Sequence, residues 1–122
     1  MLQQTKVNEI FGMVGLSKKV AIYVPSTINV SEHINNSEYV EHALFLLSSL
    51  FGGATSTDSV GGYVASNGEL ITENTTVVYA YCSDSSYNEE NLLKIKDFCE
   101  YLKIKMGQEC IGVEANNSMF FI

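Results

Sequence analysis

Arginine and tryptophan are absent from this 122-residue chain, and proline occurs once. All seven basic side chains are lysine, set against fourteen acids for a net charge of −7. Binding to DNA or RNA relies on clustered cations that neutralise phosphate, so this balance excludes a nucleic-acid polymer as partner. An anionic membrane surface is excluded on the same ground. Cysteine is scarce too: Cys82, Cys99 and Cys110 are odd in number, widely spaced and free of any CxxC pattern. They indicate neither a disulfide framework nor a zinc site, and are expected to be reduced and mostly buried. The segment Met1 to Gly15 lacks the basic and apolar regions of a signal peptide, and no apolar run approaches the roughly 20 residues of a membrane span, so a cytoplasmic protein is expected. Without an export signal, the Asn-x-Ser/Thr triplets at Asn29, Asn35, Asn74 and Asn116 carry no glycan expectation.

What is present suits one ordinary core. A chain of 13.5 kDa with 46% hydrophobic residues is expected to form a single α+β domain over residues 1–122, with 1–17 a short N-terminal extension. In that extension Val7, Ile10, Phe11 and Val14 fit a helical turn or an added edge strand. Lys19 to Val24 alternates as a buried strand, and Pro25 closes it because proline cannot continue a central ladder. Residues 26–36 form a polar connection long enough to be functional or mobile. A helix follows, capped by Asn35 with Glu38 or by Ser37, with Val40, Leu44, Leu47 and Phe51 on one stripe and Gly52-Gly53 ending it.

Ala54 to Ala65 reads as a strand with a bulge at Gly61-Gly62, and Ser66-Asn67-Gly68 as a tight hairpin turn of the I′ kind. Leu70 to Tyr81 is the return strand. Ser86 with Glu89 offers a capping box for a second helix, Asn88 to Met106, which Gly107 ends. Strands Glu109 to Glu114 and Ser118 to Ile122 complete the order β-α-β-β-α-β-β. The fold expected is a ferredoxin-like β-α-β-β-α-β core with an extra C-terminal hairpin strand: an antiparallel sheet with two helices on one face. The apolar ending Met119 to Ile122 invites strand pairing, so a homo-oligomer, dimer or higher, is expected.

Chemistry-bearing residues are few. The two histidines, His33 in the connection and His42 on the first helix, lie in no motif; His42 sits one turn after Glu38 and reads as a solvated pair. His33 would join a site if its loop folded over the sheet. Glu73, Glu109 and Glu114 stand out because acids inside strands must face water or a partner. No HExxH, GxGxxG or GxxxxGK spacing occurs, so neither catalytic residues, a metal nor a cofactor are expected. The corner Phe51-Gly52-Gly53-Ala54-Thr55, with Thr57 and Gly61-Gly62-Tyr63 beyond it, offers backbone N–H groups and hydroxyls to a ligand, and Tyr63, Tyr79, Tyr81 and Tyr87 offer stacking surfaces.

The run Val20 to Thr27, the corner Phe51 to Thr55, the turn Gly68 to Glu73, and the ending Met106 to Glu109 with Glu114 to Ile122 give this chain a family likeness. From about residue 19 to 122 it resembles the first-described phage anti-Thoeris sponge family. That resemblance implies a non-enzymatic anti-defence protein of phages and mobile elements, which captures a cyclic ADP-ribose-type signal nucleotide intact at the interfaces of a homo-oligomer. The family's arginines, in the second strand and near the start of the fourth, are replaced in those regions by Thr57 and Glu109, neither of which makes a bidentate phosphate clamp. The ligand-binding set expected on this reading is Gly53, Thr55, Thr57, Gly61, Tyr63, Tyr81, Asn91 and Glu109.

Two other readings remain. Residues 20–93 hold nine acids and no Lys or Arg, which suits an acidic, oligomeric protein-interaction module. A phosphodiesterase using His33 or His42 with a strand carboxylate is the third.

Overall fold

The alternation Val20, Ile22, Val24 becomes the central strand of a five-stranded antiparallel sheet, with all three side chains fully buried on one face. The computed structural model describes residues 1–29 and 31–122; Val30, inside the 26–36 connection, lies outside them. The elements are α1 (Gln4–Phe11), β1 (Lys18–Pro25), β2 (Thr27–Ile28), β3 (Glu32–His33), α2 (Ser37–Phe51), β4 (Thr55–Val64), β5 (Leu70–Cys82), α3 (Glu89–Lys105), β6 (Gly112–Ala115) and β7 (Ser118–Phe121). Sheet order is β4-β5-β1-β6-β7. This is the ferredoxin-like arrangement with one extra strand at the β6 edge, as its patterning implies.

Both long helices cover the Val20/Ile22/Val24 face. From α2 come Ala43 and Leu47, from α3 Ile95, Phe98, Cys99 and Leu102, and these meet Val78 and Ala80 of β5 and Val113 of β6 in one core. Register is set across the centre: Ile22 lies opposite Val78 on one side and Val113 on the other. A one-residue slip would send all of these to the other face. Thr76 is buried at the end of this layer, where its hydroxyl accepts from Asn36 Nδ2 at 3.2 Å and donates to Asp58 Oδ1 at 3.4 Å.

Several local expectations are corrected. The bulge at Gly61-Gly62 is absent: Gly61 pairs with Glu73 and Gly62 with Thr72 in an unbroken ladder from Thr55 to Val64. The hairpin turn is not of the I′ kind, which needs positive φ at two residues. Of the turn residues only Gly68 has it, at +86°, closing a turn in which Gly68 N donates to Ala65 O at 2.9 Å. Helix α3 is capped by Asn88, whose side chain accepts from Asn91 N at 2.9 Å, while Ser86 is held by Ser83. At α2, the Asn35 side chain accepts from Ser37 N at 3.0 Å, and no Glu38 box forms at the Asn36 cap. The strand expected from Glu109 begins only at Gly112, although Ile111 and Ile122 exchange backbone bonds of 3.1 and 2.9 Å just outside it. His42 is exposed, as expected, but forms no ion pair with Glu38 among the described residues; it meets Phe98 and Tyr101 edge-on, with ring centroids 4.9 and 5.5 Å away.

The polar connection proves to be a folded hairpin, β2 with β3, tied to the end of α3. Asn29 N donates to Met106 O at 2.8 Å, and Gln108 Nε2 donates to Thr27 O at 2.9 Å. Gly107, at φ +59°, lies directly against the Asn29 side chain and backbone. An added methyl has no room there and the left-handed backbone disfavours it. Gly107→Ala is therefore expected to destabilise by about 1–3 kcal/mol, whereas Gly53→Ala, with open space around it, should change stability far less. Urea midpoints of the two variants test this.

Candidate functional site

Helices α2 and α3 pack on the core face, and among the described residues no helix buries a side chain against the second face of the sheet. Rows of side chains follow from the register: Thr55, Tyr79, Ala21, Glu114 and Met119 in one, Thr57, Val77, Tyr23, Gly112 and Phe121 in the next. Ala21 is fully buried here, between Tyr79 and Glu114. Lys19 bridges that row, with its Nζ 5.1 Å from the Tyr79 ring centroid and 4.0 Å from Glu114. Tyr81, Met119 and Phe121 remain exposed, Phe121 at 70%.

Beyond Pro25, the last residue of β1 to pair, the β4/β5 hairpin continues as a two-stranded arm. Where the arm leaves the sheet, the β2/β3 hairpin and the segment after α3 approach it and enclose a cleft of about 400 Å³. Tyr23, His33, Glu73, Gln108, Cys110 and Phe121 line it, with Met119 and Ile71 as apolar wall. No Lys or Arg is among its described lining residues. Strand alternation places Glu73 on the same face as Val77, Tyr79 and Tyr81, and no ion pair among the described residues involves it. His33 reaches the cleft because its loop folds over the sheet end.

The residues anticipated for ligand binding divide into separate places. Gly53, Thr55 and Tyr81 line a second open-face depression of about 490 Å³, with Leu16 and Tyr79 beside them. Tyr79 and Tyr81 meet at right angles there, centroids 6.2 Å apart. Thr57 is one row along the same face. Gly61 and Tyr63 lie out on the arm, opposite Glu73 and Ile71. Asn91 is taken up in the first turn of α3, where its side chain donates to Ser86 O at 2.8 Å. Glu109 is exposed between α3 and β6 and lines neither cleft. Tyr23, Gln108 and Cys110 are not in the ligand-binding set that the sequence indicates. The period-two alternation of β1 sets Tyr23 on the face opposite Val20, Ile22 and Val24, and the register then puts it beside Val77; for Gln108 and Cys110 there is no local signal.

Burial pushes the Cys99 thiol up to about 12, with Glu100 adding to the effect, and burial also raises Cys82, partly offset by the Ser86 hydrogen bond. Both thiols are buried, and only Cys110 is exposed. No more than one thiol per chain is therefore expected to react with an aromatic disulfide reagent at pH 8 before unfolding, and three after it. Among the described residues, no cluster of three or more His, Cys, Asp or Glu is placed to hold a metal, and no helix is long and apolar enough to cross a membrane.

Two solved structures share this architecture. A phage SAM lyase in complex with S-methyl-5'-thioadenosine superimposes with a TM-score of 0.62 at 17% identity, covering 88% of this chain and 90% of that one. A phage SAM lyase in the apo state gives a TM-score of 0.57 at 16% identity, covering 87% and 88%. No family model and no curated protein matches the chain. These likenesses show the fold. They also correct the expectation of a non-enzyme, which rested on the family resemblance and on the absence of catalytic motifs: this fold carries an enzyme, a phage SAM lyase.

Proposed function

We propose that this chain is a phage-type enzyme that binds S-adenosylmethionine in the Glu73 cleft and cleaves it to S-methyl-5'-thioadenosine, within a homo-oligomer. The observation that carries this reading is a nucleoside-sized cleft with one carboxylate and no Lys or Arg among its described lining residues, on a fold shared nearly end to end with a phage SAM lyase. The substrate is a cation with no phosphate: a sulfonium and an ammonium against one carboxylate. A chain without arginine is poorly equipped for a phosphorylated signal but well suited to this ligand. Glu73 supplies the attraction, and the Tyr23 ring offers a π-face to the sulfonium.

Cleavage breaks the bond between the sulfur and the γ-carbon of the amino-acid arm, and the electron pair goes to sulfur, leaving a neutral thioether. A lyase step adds no water, so the carbon is satisfied from within the substrate. Closure by its own carboxylate needs no base; loss of a β-proton does, and Glu73 and His33 are the bases in the cleft. Charge disperses as the sulfonium disappears, so apolar walls such as Met119, Phe121 and Ile71 favour the step.

Oligomerisation belongs to the same proposal. Phe120 and Phe121 on the edge strand and Val60, Tyr63, Val64 and Leu70 on the arm are all exposed, and apolar side chains on a free strand edge and hairpin are surfaces a second copy could cover. Titration calorimetry tests the binding step: S-adenosylmethionine should bind and Tyr23→Ala should weaken it about tenfold, the loss of one cation–π contact with its packing. Cyclic ADP-ribose binding in preference to S-adenosylmethionine would favour the sponge resemblance instead.

A further inference from the structure

The backbone of β6 does not call for a glycine at Gly112. Its φ is not in the left-handed region, and inside a strand a glycine gives up side-chain packing and costs conformational entropy. Close packing of the fold does not call for it either. A methyl group built on Gly112 would meet Tyr23 Cβ at 3.5 Å, an ordinary contact, and Met119 Cε at 2.6 Å, the free end of a side chain that can turn aside.

The missing side chain opens a gap in the cleft. Gly112 lies between Tyr23 on β1 and Phe121 on β7, and all three line the cleft that holds Glu73. Neighbouring strands run about 4.8 Å apart, so the two outer ones stand roughly 9–10 Å from each other. A flat ring needs about 3.5 Å to its neighbour on either side, about 7 Å in all. It fits between the two aromatic side chains only where the strand in the middle carries no side chain of its own.

We infer that Gly112 is the specificity-determining position of this cleft, and that the gap over it takes the purine base of the ligand, stacked against Tyr23 and Phe121. The inference rests on the site proposed above and adds to it the place of the base. Glu73 is on β5, to the other side of Tyr23, so charge and base are held at separate ends of the cleft. Met119, whose methyl lies over Gly112, swings aside to admit the base, and its unbranched thioether turns at little cost.

Two probes divide the cleft: adenosine, which has the base and no charge, and S-methylmethionine, which has the sulfonium and the ammonium and no base. In titration calorimetry Gly112→Ala should bind adenosine about tenfold more weakly, the loss of stacking for one base, and S-methylmethionine within about twofold of wild type. Its thermal midpoint should hold, because Met119 gives way. A variant that loses both probes alike, or keeps its affinity for adenosine, overturns the inference. Methyl spectra of the wild type give a test free of any substitution. Of the four methionines, Met119 should shift on adding adenosine, and Met106, fully buried in the core, should not. A Met119 signal unmoved by adenosine at millimolar concentration overturns the inference as well. Protein that answers to adenosine in this way but leaves S-adenosylmethionine uncleaved would instead count against the proposed enzyme and leave the base site standing.

Discussion

Glu73→Gln is expected to weaken binding of S-adenosylmethionine by about 10- to 100-fold, the loss of one charge-assisted contact of roughly 1.5–3 kcal/mol. The same variant should bind S-methyl-5'-thioadenosine within about threefold of wild type, because that thioether carries no positive charge for the carboxylate to hold. This difference separates recognition of charge from general damage to the cleft. Stability should not move: Glu73 is exposed, in no ion pair among the described residues, and paired through its backbone to Gly61. Parallel titrations with the two ligands, with a urea midpoint for each protein, make the comparison. Equal losses for both ligands would remove Glu73 from the role given to it.

The largest effect on stability is expected from Ile22→Ala. Ile22 is fully buried at the middle of the central strand, between Val78 and Val113. Removing its outer carbons loses transfer energy and leaves a cavity, at a cost of about 2–5 kcal/mol. Against a total of about 5–15 kcal/mol for a native domain, that is a major fraction. The thermal midpoint should fall by roughly 10–25 °C. Phe45→Ala is the control: Phe45 lies on α2 but is 75% exposed, and its loss should stay within about 0.5 kcal/mol. If the two variants proved equally destabilised, the core as described would be misplaced.

The parts of this molecule written in local periodicity were legible. Alternation in Val20 to Val24 and in Leu70 to Tyr81, the stripe from Val40 to Phe51, and Gly52 after it yield the elements and their order, and the order implies the sheet. Cap choice was less so, because serines and asparagines cluster before both helices and several can offer an oxygen: Asn88 rather than Ser86 takes α3. The glycines of β4 misled for a related reason. They permit a bulge but do not require one, and cross-strand pairing with Thr72 and Glu73 kept the ladder straight.

The candidate site was legible only in halves. Gly53, Thr55 and Tyr81 share a depression, but the Asn91 side chain is taken by Ser86 O and Glu109 lines neither cleft. His33 and Glu73 were noted as separate residues. What brings them to one cleft is the anchoring of the 26–36 hairpin by Gln108 and Asn29, a contact spanning some eighty positions that no window of local pattern contains.

One reaction mixture tests the proposed cleavage most directly: the purified protein incubated with an excess of S-adenosylmethionine, quenched by heat and resolved by chromatography. The prediction is S-methyl-5'-thioadenosine accumulating well beyond the molar amount of protein, and greatly slowed with Glu73→Gln. Recovery of all the S-adenosylmethionine intact would contradict it.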